Sequence, residues 1–174
     1  MNLLHKNGET VTESAGFLIS MLIRYPEIGT INFNPEDQVI TLSFSLGQVL
    51  DKSRLEKFQR DLYDCLQVFH YLENRNVAVL GIDFSLLGQI AVIEVKRDLE
   101  SVTKNEISLL ISFLEQELGE WLVRDGDHGE TYQEEDLLLQ EELIGHMLEN
   151  LKVSLPEKKL IAFREEGKVR VFKK

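Results

Sequence analysis

The chain has 174 residues, 43% of them apolar and 28% charged, a composition that excludes a wholly disordered or fibrous protein. Its net charge of −11 argues against nucleic-acid binding over the whole surface, because phosphate contacts need Lys and Arg. A single cysteine excludes an intrachain disulfide, and the densest apolar run, 17–23, is far shorter than the roughly 20 residues that span a bilayer. We therefore expect a cytoplasmic protein without membrane contact.

Helix signals and hairpin signals alternate along the chain. Helices are indicated by apolar residues spaced three and four positions apart, and strands by short apolar runs that alternate with polar residues. In chain order, the predicted elements are a helix over 11–25, a hairpin with strands 31–33 and 39–46, a helix over 54–74, a hairpin with strands 77–84 and 89–96, a helix over 104–118, a helix over 132–151, and a hairpin with strands 159–164 and 168–172.

Each predicted helix begins with a capping box, in which Ser or Thr is followed three residues later by Glu. The four boxes begin at Thr10, Ser53, Thr103 and Thr131. In this motif the hydroxyl accepts a hydrogen bond from a backbone amide of the first turn, and the Glu side chain reaches back to the amide of the capping residue. The boxes thus predict the same four helix starts as the apolar spacing.

The alternation of helices with antiparallel hairpins predicts an α+β fold, since no strand–helix–strand pattern points to a parallel sheet. The first two hairpins are also similar to each other. A shift of 51 residues places Ile31 on Ile82, and the helices that follow align with a shift of 52. Either a ββα unit over 28–74 is duplicated over 76–120, or two amphipathic ββα segments align by pattern alone.

A polar, acidic and glycine-containing segment divides the chain. We interpret residues 124–131 as an exposed linker that follows an α+β core domain over 1–123. Residues 132–174 then form a C-terminal helix and a β-hairpin, which we expect to pack as an arm on the core or on a second copy.

The last hairpin is basic although the chain is acidic. Residues 157–174 contain seven Lys or Arg and three Glu, a net charge of +4, so residues 1–156 carry −15. An isolated hairpin is marginally stable in water, and we expect the acidic body to attract this one. The candidate partner-binding residues are Lys158, Lys159, Arg164, Lys168, Arg170 and Lys173.

Two aromatic residues, Phe163 and Phe172, are interleaved with these cations. Cations and exposed rings together are typical of surfaces that bind single-stranded nucleic acid. The register of the hairpin decides whether Arg170 and Phe172 share a face with Phe163 or lie opposite it.

Two matching strings, each of the form His-x-x-Glu-Asn, occur towards the ends of the second and fourth predicted helices. His and Glu three positions apart share a helix face, and two such pairs from facing helices could bind zinc or iron. The alternative is that polar residues simply gather at helix ends. The candidate ligands are His70, Glu73, His146 and Glu149.

The sequence lacks the common phosphate-binding loops and the G-x-S-x-G string of serine hydrolases. No cofactor or small-molecule substrate is predicted. The leading prediction is a non-enzymatic interaction or regulatory protein that forms a homodimer through its C-terminal helix and hairpin. The alternatives are an RNA- or ribosome-associated factor that uses the basic hairpin, and a metal-dependent hydrolase.

Overall fold

A computed structural model describes residues 8–124 and 134–173. In this part of the chain helices alternate with antiparallel hairpins, and the predicted α+β class is confirmed. The elements are α1 (Gly8–Arg24), β1 (Thr30–Asn34), β2 (Val39–Leu46), α2 (Lys52–Leu72), β3 (Leu80–Leu87), β4 (Ile90–Asp98), α3 (Lys104–Leu118), α4 (Glu134–Val153), β5 (Leu160–Glu165) and β6 (Lys168–Lys173).

All three hairpins belong to one six-stranded antiparallel sheet. The strand order is β3-β4-β2-β1-β5-β6, so the C-terminal hairpin extends the sheet formed by the first two. The division into a core over 1–123 and an arm over 132–174 stays a prediction. The predicted linker, apart from Arg124, lies outside the described residues.

The sheet has one buried face and one open face. Strand β2 alternates strictly, with Ile40, Leu42, Phe44 and Leu46 buried and the residues between them half-buried. The buried side chains join those of all four helices in one hydrophobic cluster. The alternation follows from the pleat, which points successive side chains to opposite faces. The open face is therefore the broadest surface that the sheet presents.

Of the capping boxes within the described residues, one marks the start of its helix and two do not. Thr103 caps α3 as expected, since its Oγ1 accepts from the Glu106 amide at 3.2 Å. Helix α2 instead has Asp51 as its N-cap and begins one residue before Ser53. Helix α1 begins at Gly8, so Thr10 lies inside it, and Thr131 lies outside the described residues.

The second hairpin turns later than predicted. Strand β3 continues to Leu87, which pairs with Ile90, so the turn consists of Gly88 and Gln89 instead of residues 85–88. Gly88 has a φ of 64°, a conformation that glycine adopts without a steric penalty. Turn chemistry at this glycine therefore decided the position of the turn.

The registers of the two similar hairpins differ by two residues. Ile31 pairs with Leu42 in the first hairpin. In the second, Ile82 pairs with Val95, whereas a constant shift of 51 would pair it with Ile93. The first hairpin has a four-residue turn and the second a two-residue turn, which accounts for the difference. The duplication itself stays a prediction.

Among the described helices, none is long and apolar enough to cross a membrane.

Candidate functional site

The C-terminal hairpin is fixed to the sheet by backbone pairing and by buried apolar side chains. Strand β5 lies antiparallel to β1, with Ala162 opposite Ile31 and Leu160 opposite Phe33. Leu160 and Ala162 are buried in the hydrophobic cluster. These contacts give the hairpin the support that an isolated two-stranded ribbon lacks.

Arg164 is the one candidate partner-binding cation whose described contacts tie the hairpin to the helical layer. Its guanidinium donates to the backbone carbonyls of Leu22, Tyr25 and Ile28, at 2.9 Å in the case of Tyr25. The last carbonyls of a helix have no partner within the helix and carry partial negative charge. Arg164 therefore acts inside the molecule, where it caps the C-terminal end of α1.

The hairpin register places the aromatic and basic residues together on the open face. Phe163 lies opposite Arg170, and Ile161 lies opposite Phe172. The rings of Phe163 and Phe172 stack diagonally across the two strands, with centroids 5.5 Å apart and planes 12° from parallel. Phe172 is 52% exposed. The result is a two-ring aromatic platform at the outer edge of the sheet.

Polar side chains continue this surface inwards across the sheet. Thr30 lies beside Phe163, and Asn32 lies beside Ile161. Their neighbours on β2 are Ser43 and Thr41 respectively. We call this region, made of the open faces of β2, β1, β5 and β6, the aromatic–polar face.

Two cations of β6, Lys168 and Arg170, lie on this face, whereas Lys173 lies opposite the buried Leu160. Arg170 forms an ion pair with Glu165 at 3.2 Å, and both side chains are about half exposed. Within the described residues, no ion pair with a carboxylate is formed by the remaining candidate cations, Lys158, Lys159, Lys168 and Lys173. The expected attraction to the acidic body stays a prediction, and lysines without a carboxylate partner can neutralise an external anion.

The four candidate metal ligands occupy different environments. His70 is buried at the end of α2, and its Nε2 lies 2.6 Å from Glu106 Oε1. Glu73 and His146 are exposed, and Glu149 pairs with Lys152 at 3.1 Å. Among the described residues, no group of three or more His, Cys, Asp or Glu side chains could hold a metal ion. The hydrolase hypothesis gains no support from this arrangement.

His70 belongs instead to a buried polar network that the sequence analysis missed. Arg97 donates through Nε and Nη2 to the two oxygens of Glu106, at 2.5 and 2.8 Å, and it also binds Asp98 and Ser101. The network joins the end of α2, the end of β4 and the start of α3. It holds these three elements together by charge-assisted hydrogen bonds.

The carboxylates of this network have identifiable partners. Burial alone would raise the pKa of Asp98, but hydrogen bonds with Ser101 and the Val79 amide, together with the charge of Arg97, hold it below its usual value. Glu106 does not reach back to the capping residue as its box predicts, because its carboxylate binds Arg97 and His70. Arg97 and Asp98 carried no distinctive signal in the sequence, because the same strand also contains the charged residues Glu94 and Lys96.

Comparison with family models, with curated proteins and with solved structures finds no match. Function must therefore be argued from the residues themselves. Of the surfaces described so far, the aromatic–polar face combines exposed rings, hydrogen-bonding side chains and nearby cations, whereas the buried network is closed to ligands.

Proposed function

We propose that the aromatic–polar face binds single-stranded nucleic acid, with RNA as the expected form. The observation that carries this proposal is the stacked pair Phe163 and Phe172 on an open sheet face. A base has two flat apolar faces, and stacking on an aromatic side chain contributes about 1–3 kcal/mol per base. Phe172 is half exposed, so its ring is available to a base.

The neighbours of the rings supply the other interactions that a nucleotide needs. Asn32, Thr41 and Ser43 offer donors and acceptors to base edges from the adjacent strands. Lys168 and Arg170 lie on the same face as Phe172, where they can contact backbone phosphates. Such a face can bind a short extended strand.

The charge of the whole molecule restricts this binding to one surface. Residues 1–156 carry −15, which repels polyanions, and the cations of residues 157–174 offset this only locally. We therefore expect a short binding site of few phosphate contacts. A cytoplasmic location, which the single cysteine favours, would give the face access to RNA.

The proposal is tested by fluorescence anisotropy with a labelled ten-residue oligouridylate at 50 mM salt. We expect Phe172→Ala to weaken binding by about 5- to 150-fold through the loss of one stacking platform. Substituting Lys168 and Arg170 by Ala should lower the salt dependence, by about 0.7 in log–log slope for each lost phosphate contact.

Tyr71→Ala provides a matched control, because Tyr71 is an aromatic residue that is 85% exposed at the end of α2, outside the sheet. Its affinity should equal that of the wild type. A parallel titration with oligothymidylate distinguishes RNA from DNA. The proposal is wrong if the wild-type protein binds neither oligonucleotide, or if Phe172→Ala and Tyr71→Ala behave alike.

Self-association through the C-terminal helix is the second candidate. Helix α4 exposes Leu138, Leu139 and Leu143, each by more than half. Burying this apolar stripe against a second copy would remove it from water. Pairing of β6 with the β6 of a second copy is less favourable, because it brings Lys168, Arg170 and Lys173 of both copies together.

Sedimentation velocity tests this candidate at 5–100 µM protein, a range of about 20-fold chosen to bracket micromolar association. We expect a dimer that the double substitution Leu139→Ser, Leu143→Ser converts to a monomer. A wild-type protein that sediments as a monomer throughout would rule out dimerisation in this range.

A further inference from the structure

A polar cleft lies between the C-terminal end of α1, the outer face of α3 and the first half of α4. Its volume is about 540 Å³, enough for a molecule of amino-acid size. Among the side chains that line it are Arg24, Tyr25 and Glu27 from the end of α1 and the segment that follows it, Glu115 from α3, and Glu141 from α4. The cleft lies on the helical side of the molecule and shares none of these residues with the aromatic–polar face.

Most polar groups in this cleft are paired with each other. Arg24 Nη2 donates to Glu141 Oε1 at 2.7 Å, and the Tyr25 hydroxyl lies 3.2 Å from the Ser108 hydroxyl. Arg124 donates through Nε to Glu115 Oε1 at 2.8 Å. The charges of Glu141 and Glu115 are thus offset by the two arginines, and Glu27 remains as the additional carboxyl group.

Two polar atoms of the lining residues have no partner. Among the buried side-chain nitrogen and oxygen atoms of the described residues, these are Arg24 Nε and Glu27 Oε1. An unsatisfied buried polar atom destabilises a folded protein by about 1–3 kcal/mol, so such atoms are uncommon and usually indicate a missing partner. One of the two is a donor and the other an acceptor, and their residues line the same cleft.

The carboxyl groups of Glu27 and Glu115 have pKa values shifted in opposite directions. Burial raises the pKa of Glu27, and its hydrogen bond with Glu115 raises it further. Burial acts in the same direction on Glu115, but hydrogen bonds with Arg124 and Glu27 hold the pKa of Glu115 below its usual value. A cation beside Glu27 would favour its ionised form.

We infer that this cleft binds a small zwitterion of the amino-acid class, whose ammonium group donates to Glu27 Oε1 and whose carboxylate accepts from Arg24 Nε. The terminal torsion of a Glu side chain is broad, so a modest rotation turns Oε1 towards the cleft. Arg24 Nε is also buried in the free protein, so the Arg24 side chain, which is 22% exposed, must turn as well for the ligand to reach Nε. Both unpartnered atoms are then satisfied by one molecule.

The test uses the full chain and the twenty L-amino acids, each added at millimolar concentration in a thermal-shift assay and then titrated by calorimetry. We expect at least one of them to raise the melting temperature. Glu27→Gln removes the carboxylate but keeps the shape, and Arg24→Lys keeps the positive charge but removes Nε. Each should weaken the affinity for that amino acid by at least tenfold.

Glu117→Gln is the matched control, because Glu117 is an exposed glutamate of the same helix as Glu115 and does not line the cleft. It should bind like the wild type.

Three results would overturn the inference: no response to any of the twenty amino acids, unchanged affinity in Glu27→Gln, or a diamine that binds as tightly as the best amino acid. The last result would show that the site recognises an amine alone. None of these outcomes affects the proposed nucleic-acid binding, since the residues and the ligand differ.

Discussion

The buried network around Arg97 shows how single residues stabilise this fold. Arg97 and Glu106 are each about 3% exposed, and two hydrogen bonds join them. Charges at such depth are strongly desolvated, so the loss of one partner leaves the other charge without compensation. The network is therefore more sensitive to truncation of one member than any surface ion pair in the molecule.

Replacing Glu106 by Ala should lower the free energy of unfolding by about 3–5 kcal/mol, because Arg97 would stay buried without its principal counter-charge. Urea unfolding at pH 7 measures the effect. Glu120→Ala, at an exposed position just beyond α3, is the control and should change stability by less than about 0.5 kcal/mol. Equal effects of the two substitutions would mean that the network does not stabilise the fold.

The stability should also decline in acid through Asp98. The pKa of this group is lower in the folded protein than its ordinary value of about 3.9. Asp98 therefore contributes its full stabilisation at a pH above its pKa in the unfolded chain. This stabilisation is lost as the pH falls through its pKa in the folded protein. Urea unfolding between pH 7 and pH 3 should therefore show a smaller acid-induced loss for Asp98→Asn than for the wild type. Parallel curves for the two proteins would contradict this assignment.

At the scale of elements, the C-terminal end of α1 and strand β5 are joined by one side chain, that of Arg164. Arg164 from β5 binds the carbonyl of Leu22 in the last turn of α1 and the carbonyls of Tyr25 and Ile28 in the segment that follows. Hydrogen bonds to a charged group contribute about 1.5–3 kcal/mol, so we expect Arg164→Ala to lower the free energy of unfolding by that amount. Arg170→Ala, on the exposed side of the same hairpin, should have an effect below about 0.5 kcal/mol. Similar losses in the two variants would argue against capping.

The turn of the last hairpin depends on the backbone conformation of its two central residues. Glu166 and Gly167 have φ angles of 51° and 77°, so both central residues are left-handed, as in a type I′ turn. Asn adopts this conformation more readily than Glu. We expect Glu166→Asn to stabilise the protein by about 0.5–1 kcal/mol and Gly167→Ala to destabilise it by about 1–2 kcal/mol. Thermal unfolding measures both, and a destabilising Glu166→Asn would contradict the assigned turn.

At the scale of the whole molecule, both ends of the chain contribute to one sheet and one core. Strand β1 pairs with β5 across more than 120 residues of sequence, a separation given by partners such as Ile31 and Ala162. Deleting residues 157–174 therefore removes buried Leu160 and Ala162, the cap on α1 and the partner of β1 in a single step. An exposed β1 edge is in addition a site for aggregation.

We expect the chain that ends at residue 156 to lose cooperative thermal unfolding or to aggregate on expression. The control is a full-length chain with Lys173 replaced by Ala, which keeps both strands. A truncated chain that unfolds with the stability of the full chain would show that the hairpin does not stabilise the fold.

The pattern of apolar residues was sufficient to predict the positions of most helices and strands. The helix over 104–118 and the strand over 39–46 have the predicted bounds, because each carries a long periodic pattern with a clear start. The late turn at Gly88 was missed because residues 85–88 were predicted as the turn, whereas the strand continues through Leu86 and Leu87. Of the candidate binding residues, Arg164 proved to be a capping residue, which no local sequence signal distinguishes from its exposed neighbours.

Sequence alone determined the class of this fold, its alternation of helices and hairpins, and the basic character of its last two strands. These properties depend on neighbours within a few positions, where spacing and turn chemistry act directly. Only the tertiary structure decided that β5 pairs with β1, that Phe163 and Phe172 stack on one face, and that Arg24 and Glu27 meet Glu115 and Glu141 in a cleft. Such contacts join residues far apart in the chain, and they arise from the packing of whole elements around a common core.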